Sequence, residues 1–178
     1  ELPSSTMFEN LYDNVDPIFI FKRKNNFMKK IASNLQDVFE MTTLNLMKSR
    51  ICDDSSLGER ALLGKLLNYL VLINSNVGIK ISRKISESKN MTLSIIGLKS
   101  LCLGNSKTAL KYLNNFYKKW RNNDLVIEKW FQMMSGLNVS AQGLDFIKNL
   151  LKHEAFDSKN PNKIRAVLNT FQRENILL

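Results

Sequence analysis

Residues 56–73 read SLGERALLGKLLNYLVLI, and this stretch decides the fold class. Its leucines recur every three or four residues, which is the spacing of one face of an α-helix. Ser56 and Glu59 stand three residues apart, as in a capping box, so we expect Ser56 to cap the helix and Glu59 to reach back to it. The side chains predicted to face the core are Leu62, Leu63, Leu66, Leu67, Leu70 and Val71.

Upstream of this stretch the sequence predicts one long helix. Asp16 is the expected N-cap, because Pro17 follows it and proline suits the first helical position. Apolar residues at helical spacing then continue as far as about Arg50. The predicted apolar face consists of Phe27, Met28, Ile31, Leu35, Val38, Phe39, Thr42 and Leu46.

Downstream, apolar helical segments alternate with short polar breaks, which gives about eight or nine helices in all and no convincing strand. Short connections make consecutive helices antiparallel neighbours. The pattern therefore predicts an all-α protein, either a bundle or a short α-solenoid, and the lack of a fixed-period repeat makes any solenoid irregular. The predicted breaks and caps are residues 74–76, Gly104, Ser106, residues 122–124, Ser140, and Asn160 with Pro161.

Composition excludes several classes of protein. The chain has 178 residues and a net charge of +10, with only 7 Gly and 3 Pro, so it is long enough for one domain and is neither collagen-like nor disordered. Cys52 and Cys102 are too few for a disulfide scaffold, and we expect ordinary buried thiols. No apolar run reaches bilayer length, and Glu1 opens a polar segment without the apolar core of a signal peptide. We therefore expect no membrane association and a cytoplasmic location.

His153 is the single histidine of the chain, and Glu154 follows it as in the zinc motif H-E-x-x-H. The second histidine of that motif would fall at residue 157, where the chain has Asp157. A zinc site built on two histidines therefore cannot come from this chain alone. We expect His153 to lie near a helix C-terminus, where the helix dipole favours it.

Two basic clusters raise the possibility of nucleic-acid binding. A nucleic-acid surface would need both clusters on one face, and its affinity would fall steeply with salt. The other interpretation is that each cluster is a solvated helix face. The residues are Lys22, Arg23, Lys24, Lys29 and Lys30 in the first cluster, and Lys118, Lys119 and Arg121 in the second.

The segment 157–165, DSKNPNKIR, is the most unusual in the chain. Asn160 and Pro161 predict a helix start, which places Arg165 about one turn inside the helix. One interpretation is simply a well-capped helix. The other is that Arg165 is directed at an anionic group such as a carboxylate, which a guanidinium binds with two parallel hydrogen bonds.

Residues 152–165, KHEAFDSKNPNKIR, resemble the HPAF-x-x-x-NPN-[RK]-[VI]-R segment of bacterial-type aminopeptidase N, the zinc-dependent alanyl aminopeptidases. Further matches follow in the family's order and span nearly the whole chain. They are Leu2-Pro3-Ser4 with Asp16-Pro17, Gly58 to Leu62 for G-x-R-x-L, Asn90-Met91-Thr92 for NMT, Phe116-Tyr117 with Trp120 for FY-x-x-W, and Asp124 to Phe131 for D-x-LV-x-x-KWF.

The resemblance implies a four-domain parent enzyme whose last domain is a superhelix of paired helices. Residues 1–178 look like the greater part of that domain, as a single armadillo- or HEAT-like α-solenoid that is incomplete at its C-terminal end, since in the family more helices follow the region of Phe171. The family's zinc ligands lie outside this chain. We therefore expect no cofactor in this chain, zinc in the parent, and no cleavage of peptides by the chain alone.

In the family this domain closes over the catalytic chamber and filters access to it. The position matching Arg165 lies towards the chamber, where it can meet the carboxylate end of a substrate, and Lys163 replaces the commoner arginine of the motif. The implied partners are the upstream catalytic domain of the same polypeptide and, through it, peptide substrates. The alternatives are a stand-alone helical scaffold that binds a protein, and a basic nucleic-acid-binding module, which is less favoured.

Overall fold

The structure is a computed structural model that describes residue 7 and residues 16–49, 56–104, 106–137 and 143–174. These residues form nine α-helices and no strand. The helices are α1 Pro17–Asn34, α2 Gln36–Lys48, α3 Leu57–Leu72, α4 Asn76–Ser86, α5 Met91–Cys102, α6 Ser106–Trp120, α7 Asp124–Ser135, α8 Gly143–Leu151 and α9 Pro161–Glu174.

Three predicted N-caps, Asp16, Asn123 and Asn160, are confirmed by hydrogen bonds from backbone amides of their own helices. Asp16 Oδ1 accepts from the Ile18 amide at 2.9 Å. Asn123 Oδ1 accepts from the Val126 amide at 3.3 Å, which caps α7. Short polar side chains at these positions pair amides that have no partner inside the helix. The caps expected at Ser106 and Ser140 stay predictions: Ser106 is the first residue of α6, and Ser140 lies outside the described residues.

The capping box predicted for α3 is wrong. Ser56 precedes the helix, but its side chain makes no capping hydrogen bond. Its Oγ instead accepts from Arg60 Nη1 at 2.8 Å, and Glu59 accepts from Ser49 Oγ at 3.2 Å. Arg60 is 5% exposed, so burial of its guanidinium requires a hydrogen-bond acceptor, and Ser56 supplies one.

The single long helix predicted upstream is also wrong, because it is two helices that meet at Leu35. At Leu35 the backbone has φ −114° and ψ 18°, which lies outside the α-helical region. None of the residues predicted for its apolar face is fully buried, and Phe27, Leu35 and Val38 are exposed. The reason is position in the fold: α1 packs only against α2 and α3 in the described part of the chain, so its remaining faces have no helix to cover them.

The nine helices stack as an α-solenoid. Each helix packs against the next one in sequence, and most also pack against the second next, as α3 does with α5, α5 with α7, and α7 with α9. Within the described residues no helix packs against one further along. This pattern confirms the predicted solenoid over a bundle, because a closed bundle brings its first and last helices together. Odd-numbered helices form one layer, and α2, α4 and α6 belong to the other.

The core divides into two clusters along the solenoid. The larger cluster joins α5 to α9 and includes Leu113, Ile127, Phe131 and Val167, all fully buried. The smaller one joins α3 to α5 around Leu63 and Leu67, with contributions from α2. Five of the six α3 residues predicted to be in the core are buried, whereas Leu62 is 46% exposed.

Two glycines let neighbouring helices approach closely. A Cβ added at Gly97 on α5 would lie 2.5 Å from the Ser82 carbonyl oxygen on α4. A Cβ at Gly78 on α4 would lie 2.5 Å from Leu70 Cβ on α3. Ser94 adds to the α4–α5 contact by donating to the Ser86 carbonyl at 2.6 Å. Small residues therefore set the spacing of α3, α4 and α5.

Candidate functional site

The start of α9 fixes the position of Arg165. Asn160 Oδ1 accepts from the Asn162 amide at 2.9 Å, and Pro161 is the first helical residue, as the sequence predicts. Lys163 lies on the buried side of the helix and donates to Asp124 Oδ1 on α7 at 3.0 Å. Arg165, two residues further, is exposed. The two basic residues of the motif thus differ in their surroundings: Lys163 joins α9 to α7, whereas Arg165 is exposed.

Arg165 lines an open pocket of about 470 Å³ that four odd-numbered helices build together. We call it the Arg165 pocket. Among its described lining residues, the polar side chains are the cations Lys99 and Arg165 and the neutral Asn68, Gln132, Asn169 and Thr170, and none of them is a carboxylate. Cations and neutral hydrogen-bonding groups without a nearby acid favour an anion. The remaining lining residues are Cys102, Leu103, Met133 and Gly136.

Asn68 is oriented by a buried hydroxyl. Ser100 on α5 is fully buried, and its Oγ donates to Asn68 Oδ1 on α3 at 2.9 Å. Because the amide oxygen of Asn68 accepts this hydrogen bond, its NH₂ group can donate to other acceptors. The NH₂ group of Asn68 is therefore a hydrogen-bond donor held on α3 at the edge of the pocket.

Cys102 contributes a neutral thiol to the pocket. Burial raises the pKa of Cys102 to about 12, although the nearby charge of Lys99 acts in the opposite direction. The sulfur therefore stays protonated at neutral pH and adds no negative charge that would oppose Arg165. The expectation of an ordinary buried thiol fits Cys102, which is partly buried and free of any disulfide, while Cys52 lies outside the described residues.

Sequence reasoning identified Arg165 but not the other polar residues of this pocket. Asn169 follows Arg165 by one helical turn, so its presence on the same face is a local signal. Lys99, Asn68 and Gln132 come from three other helices and reach the pocket only through the stacking of the solenoid. No spacing in the sequence marks them.

His153 lies just beyond the end of α8, as predicted, but its surroundings are aromatic. Its ring centroid lies 4.9 Å from that of Tyr117 and 5.0 Å from that of Trp130. Its Nδ1 accepts from the Ala155 amide at 3.2 Å, which places the proton of the neutral ring on Nε2. His153 is therefore part of a packed aromatic cluster.

The residues that the structure describes do not fit a zinc site. Zinc needs three or four ligands from His, Cys, Asp and Glu side chains. No three such side chains in the described ranges come together in a way that could hold a metal ion. None of the described helices is long and apolar enough to cross a membrane.

The two basic clusters lie on helices that are not neighbours. The first belongs to α1 and the second to the end of α6, and these helices do not pack together in the described part of the chain. Some of the cations already have partners: Arg23 lies 4.9 Å from the Phe19 ring centroid, and Lys119 donates to the Ser88 carbonyl at 3.2 Å. Helix packing therefore does not join the clusters into one basic surface.

A family model described as "Domain of unknown function (DUF3458_C) ARM repeats" matches residues 1–177. The chain belongs to this ARM-repeat family. The match covers essentially all of the chain and agrees with the observed stacking of helix pairs. It confirms the irregular armadillo-like solenoid that the sequence predicts.

Relatives of this ARM-repeat domain are aminopeptidases. The chain is 25% identical to aminopeptidase N of Escherichia coli (strain K12) over 176 residues, which is 98% of this chain and 20% of the relative. It is also 25% identical to aminopeptidase N of Caulobacter vibrioides over 177 residues, again 98% of this chain and 20% of the relative. The chain thus spans about a fifth of the length of these relatives.

A solved structure shares the fold. In the "Crystal structure of Legionella pneumophila aminopeptidase A in complex with aspartic acid", the match covers 99% of this chain and 22% of that chain, with a TM-score of 0.84 and 24% identity. Together with the family match, these relatives confirm the resemblance noted in residues 152–165. The chain corresponds to the C-terminal helical domain of aminopeptidase N-type enzymes.

Proposed function

We propose that this ARM-repeat domain closes and filters the catalytic chamber of a zinc-dependent aminopeptidase, a hydrolase that removes N-terminal residues from peptides. In this proposal residues 1–178 belong to one helical-repeat domain, and the upstream part of the same polypeptide carries the zinc. Zinc would polarise the scissile carbonyl and activate water there. The residues of this domain would bind and orient the substrate.

The observation that carries the proposal is the position of Arg165. It is exposed on a pocket that also contains Lys99, and the lining residues that the structure describes include no carboxylate. A guanidinium pairs with a carboxylate through two parallel hydrogen bonds, which fixes direction as well as position. Arg165 would therefore hold the carboxylate end of a peptide while the opposite, amino-terminal end reaches the zinc.

Attachment to a larger enzyme is supported by an exposed apolar surface on α1 and α2. Phe19, Phe27, Val38 and Met41 are each more than half exposed. Large apolar side chains exposed on two consecutive helices favour a contact with another protein surface. We propose that it packs against other parts of the parent polypeptide, which fits a chain that spans a fifth of its relatives.

The same apolar surface favours the second candidate function, a stand-alone scaffold that binds a separate protein through α1 and α2. The two candidates differ in the size of the natural product. A scaffold would be made without a catalytic domain, whereas an aminopeptidase domain would be part of a much longer chain.

The role of Arg165 can be tested by kinetics of the full-length enzyme on matched substrates. We expect Arg165→Gln to lower kcat/KM about tenfold or more for a tripeptide with a free carboxylate, because a charge-assisted contact is lost. The corresponding tripeptide amide and an amino-acid p-nitroanilide lack that carboxylate, so their kcat/KM should change little. Arg165→Lys should restore part of the loss.

The matched control is Lys111→Gln, which removes an exposed charge on α6 that lies outside the Arg165 pocket. It should leave all three substrates unaffected. An equal loss on acid, amide and anilide would show that Arg165 supports the structure and does not bind the carboxylate. No loss on the free acid would also contradict the proposal.

A further inference from the structure

A second pocket of about 470 Å³ lies between α6, α7 and α8. We call it the Trp130 pocket. It uses a different face of α7 from the Arg165 pocket, since Trp130 and Met134 line it whereas Gln132 and Met133 line the other. Its lining residues are Asn114, Tyr117, Lys118, Arg121, Trp130, Met134, Phe146, Asn149, Leu150 and His153.

The polar atoms of the aromatic wall are already paired within the protein. Trp130 Nε1 donates to the Leu113 carbonyl at 3.0 Å, and Tyr117 Oη donates to Glu154 Oε1 at 2.9 Å. Burial raises the pKa of Tyr117, and the hydrogen bond to Glu154 raises it further, so the phenol remains a donor to Glu154. What the wall offers a ligand is therefore mainly apolar surface, continued by Met134, Phe146 and Leu150.

The rim of the pocket is cationic. Lys118 and Arg121 lie one helical turn apart at the end of α6, and both are exposed. Neither forms an ion pair within the described ranges, and Asn114 and Asn149 add neutral amide groups. None of the described lining residues is a carboxylate, and Glu154, which is not among them, accepts the hydrogen bond of Tyr117. An apolar wall beside two unpaired cations matches a ligand with an apolar body and an anionic end.

We propose that the Trp130 pocket binds small carboxylates that carry an apolar group. The apolar group lies against Trp130, Met134 and Phe146, and the carboxylate meets Arg121 and Lys118. The site is separate from the Arg165 pocket, so the inference does not depend on the function proposed for that pocket. It adds a second anion site to the domain, on the side formed by α6 and α8.

The test is a binding titration with three probes: 3-phenylpropanoate, its neutral amide 3-phenylpropanamide, and propanoate, which lacks the ring. The chain has two tryptophans, so Trp120→Phe leaves Trp130 as the single tryptophan, whose fluorescence is excited at a wavelength that tyrosine does not absorb. We expect saturable change in Trp130 fluorescence with 3-phenylpropanoate. Binding of the amide and of propanoate should each be weaker by about tenfold or more, since one loses the charge contact and the other the apolar contact.

Variants in the same Trp120→Phe background locate the site. Arg121→Gln should weaken binding of 3-phenylpropanoate about tenfold, while Lys111→Gln on α6 and Arg165→Gln in the other pocket should leave it unchanged. Circular dichroism of each variant checks that the helices are intact. The proposal is overturned by equal affinity for acid and amide, by no saturation up to about 10 mM, or by loss of binding in Arg165→Gln with none in Arg121→Gln.

Discussion

Lys163 is a buried cation that pairs with one exposed carboxylate, that of Asp124. Its side chain is 8% exposed, whereas that of its partner Asp124 is 79% exposed. Removing only the carboxylate leaves a buried ammonium without its partner, which costs more than removing the charged pair. The position needs either the ion pair or an apolar side chain of similar length.

We therefore expect Asp124→Asn to lower the free energy of unfolding by about 1–3 kcal/mol. Lys163→Met, which keeps the length and removes the charge, should change it by less than about 1.5 kcal/mol. Urea denaturation of the two variants measures the difference. A Lys163→Met variant that is less stable than Asp124→Asn would show that the ion pair itself provides the stability.

Cys102 gives a prediction for pH. Its pKa rises from an ordinary value of 9.0 to about 12 on folding, chiefly because of burial. Above pH 9 the unfolded chain loses this proton first, so the contribution of the thiol to stability is complete below pH 9 and is lost as pH rises towards 12.

The measurement uses Cys52→Ser, which leaves Cys102 as the single cysteine, and Cys52→Ser/Cys102→Ala as the control. Between pH 9 and 11 the unfolding free energy of Cys52→Ser should fall more steeply than that of Cys52→Ser/Cys102→Ala. At pH 8, alkylation of native Cys102 by iodoacetamide should be about a hundredfold or more slower than in denaturant. Two results together would contradict the burial of the Cys102 thiol. They are an equal pH dependence of the unfolding free energy in the two variants and equal alkylation rates in native and denatured protein.

At the scale of helices, the contact between α4 and α5 depends on the absence of a side chain at Gly97. A Cβ there would meet the Ser82 carbonyl oxygen at 2.5 Å and the Ser86 amide nitrogen at 2.7 Å, and backbone atoms cannot move aside cheaply. Gly97→Ala should therefore lower the free energy of unfolding by about 2 kcal/mol or more, as overpacking does.

Gly58→Ala on α3 is the matched control, because nothing lies within 4 Å of the added Cβ. It should leave stability unchanged or raise it by up to about 1 kcal/mol, since alanine favours a helix over glycine. Thermal unfolding of both variants measures the contrast. Equal effects of the two substitutions would mean that α4 and α5 are not held in close contact.

Local signals in the sequence were reliable where local contacts decide the structure. Asp16, Asn123 and Asn160 accept hydrogen bonds from the amides of their own helices, as their positions predict. The capping box predicted at Ser56 does not form, because the serine oxygen accepts a hydrogen bond from the buried guanidinium of Arg60, which is not part of the motif. A capping motif in the sequence does not show which other donors compete for the side-chain oxygen of the capping residue.

Burial was predictable in the middle of the solenoid and not at its beginning. Leu63 and Leu67 on α3 are fully buried, as predicted, because helices pack on several sides of α3. Phe27 and Val38 carry the same helical spacing but remain exposed. Periodicity shows that a helix has an apolar face, but it does not show which surface covers that face.

The whole molecule explains why the candidate site could be found only in part. Arg165 was found because the motif around it is local, whereas Lys99 and Asn68 join it through the stacking of α3, α5 and α9 in one layer. A solenoid brings such residues together at intervals set by its helix lengths and by contacts such as Gly97. The sequence pattern alone does not supply that register.

The central claim is that this domain works as part of an aminopeptidase. The chain has a mass of 20.5 kDa and spans 20% of aminopeptidase N of Escherichia coli, so a parent protein of that relative length would have a mass of about 100 kDa. The most direct test is the mass of that product, captured from the source cells with an antibody against this domain and identified by mass spectrometry. We expect a product of about 100 kDa whose upstream peptides include an H-E-x-x-H zinc motif. A natural product of about 20 kDa without that motif would contradict the account and favour the stand-alone scaffold.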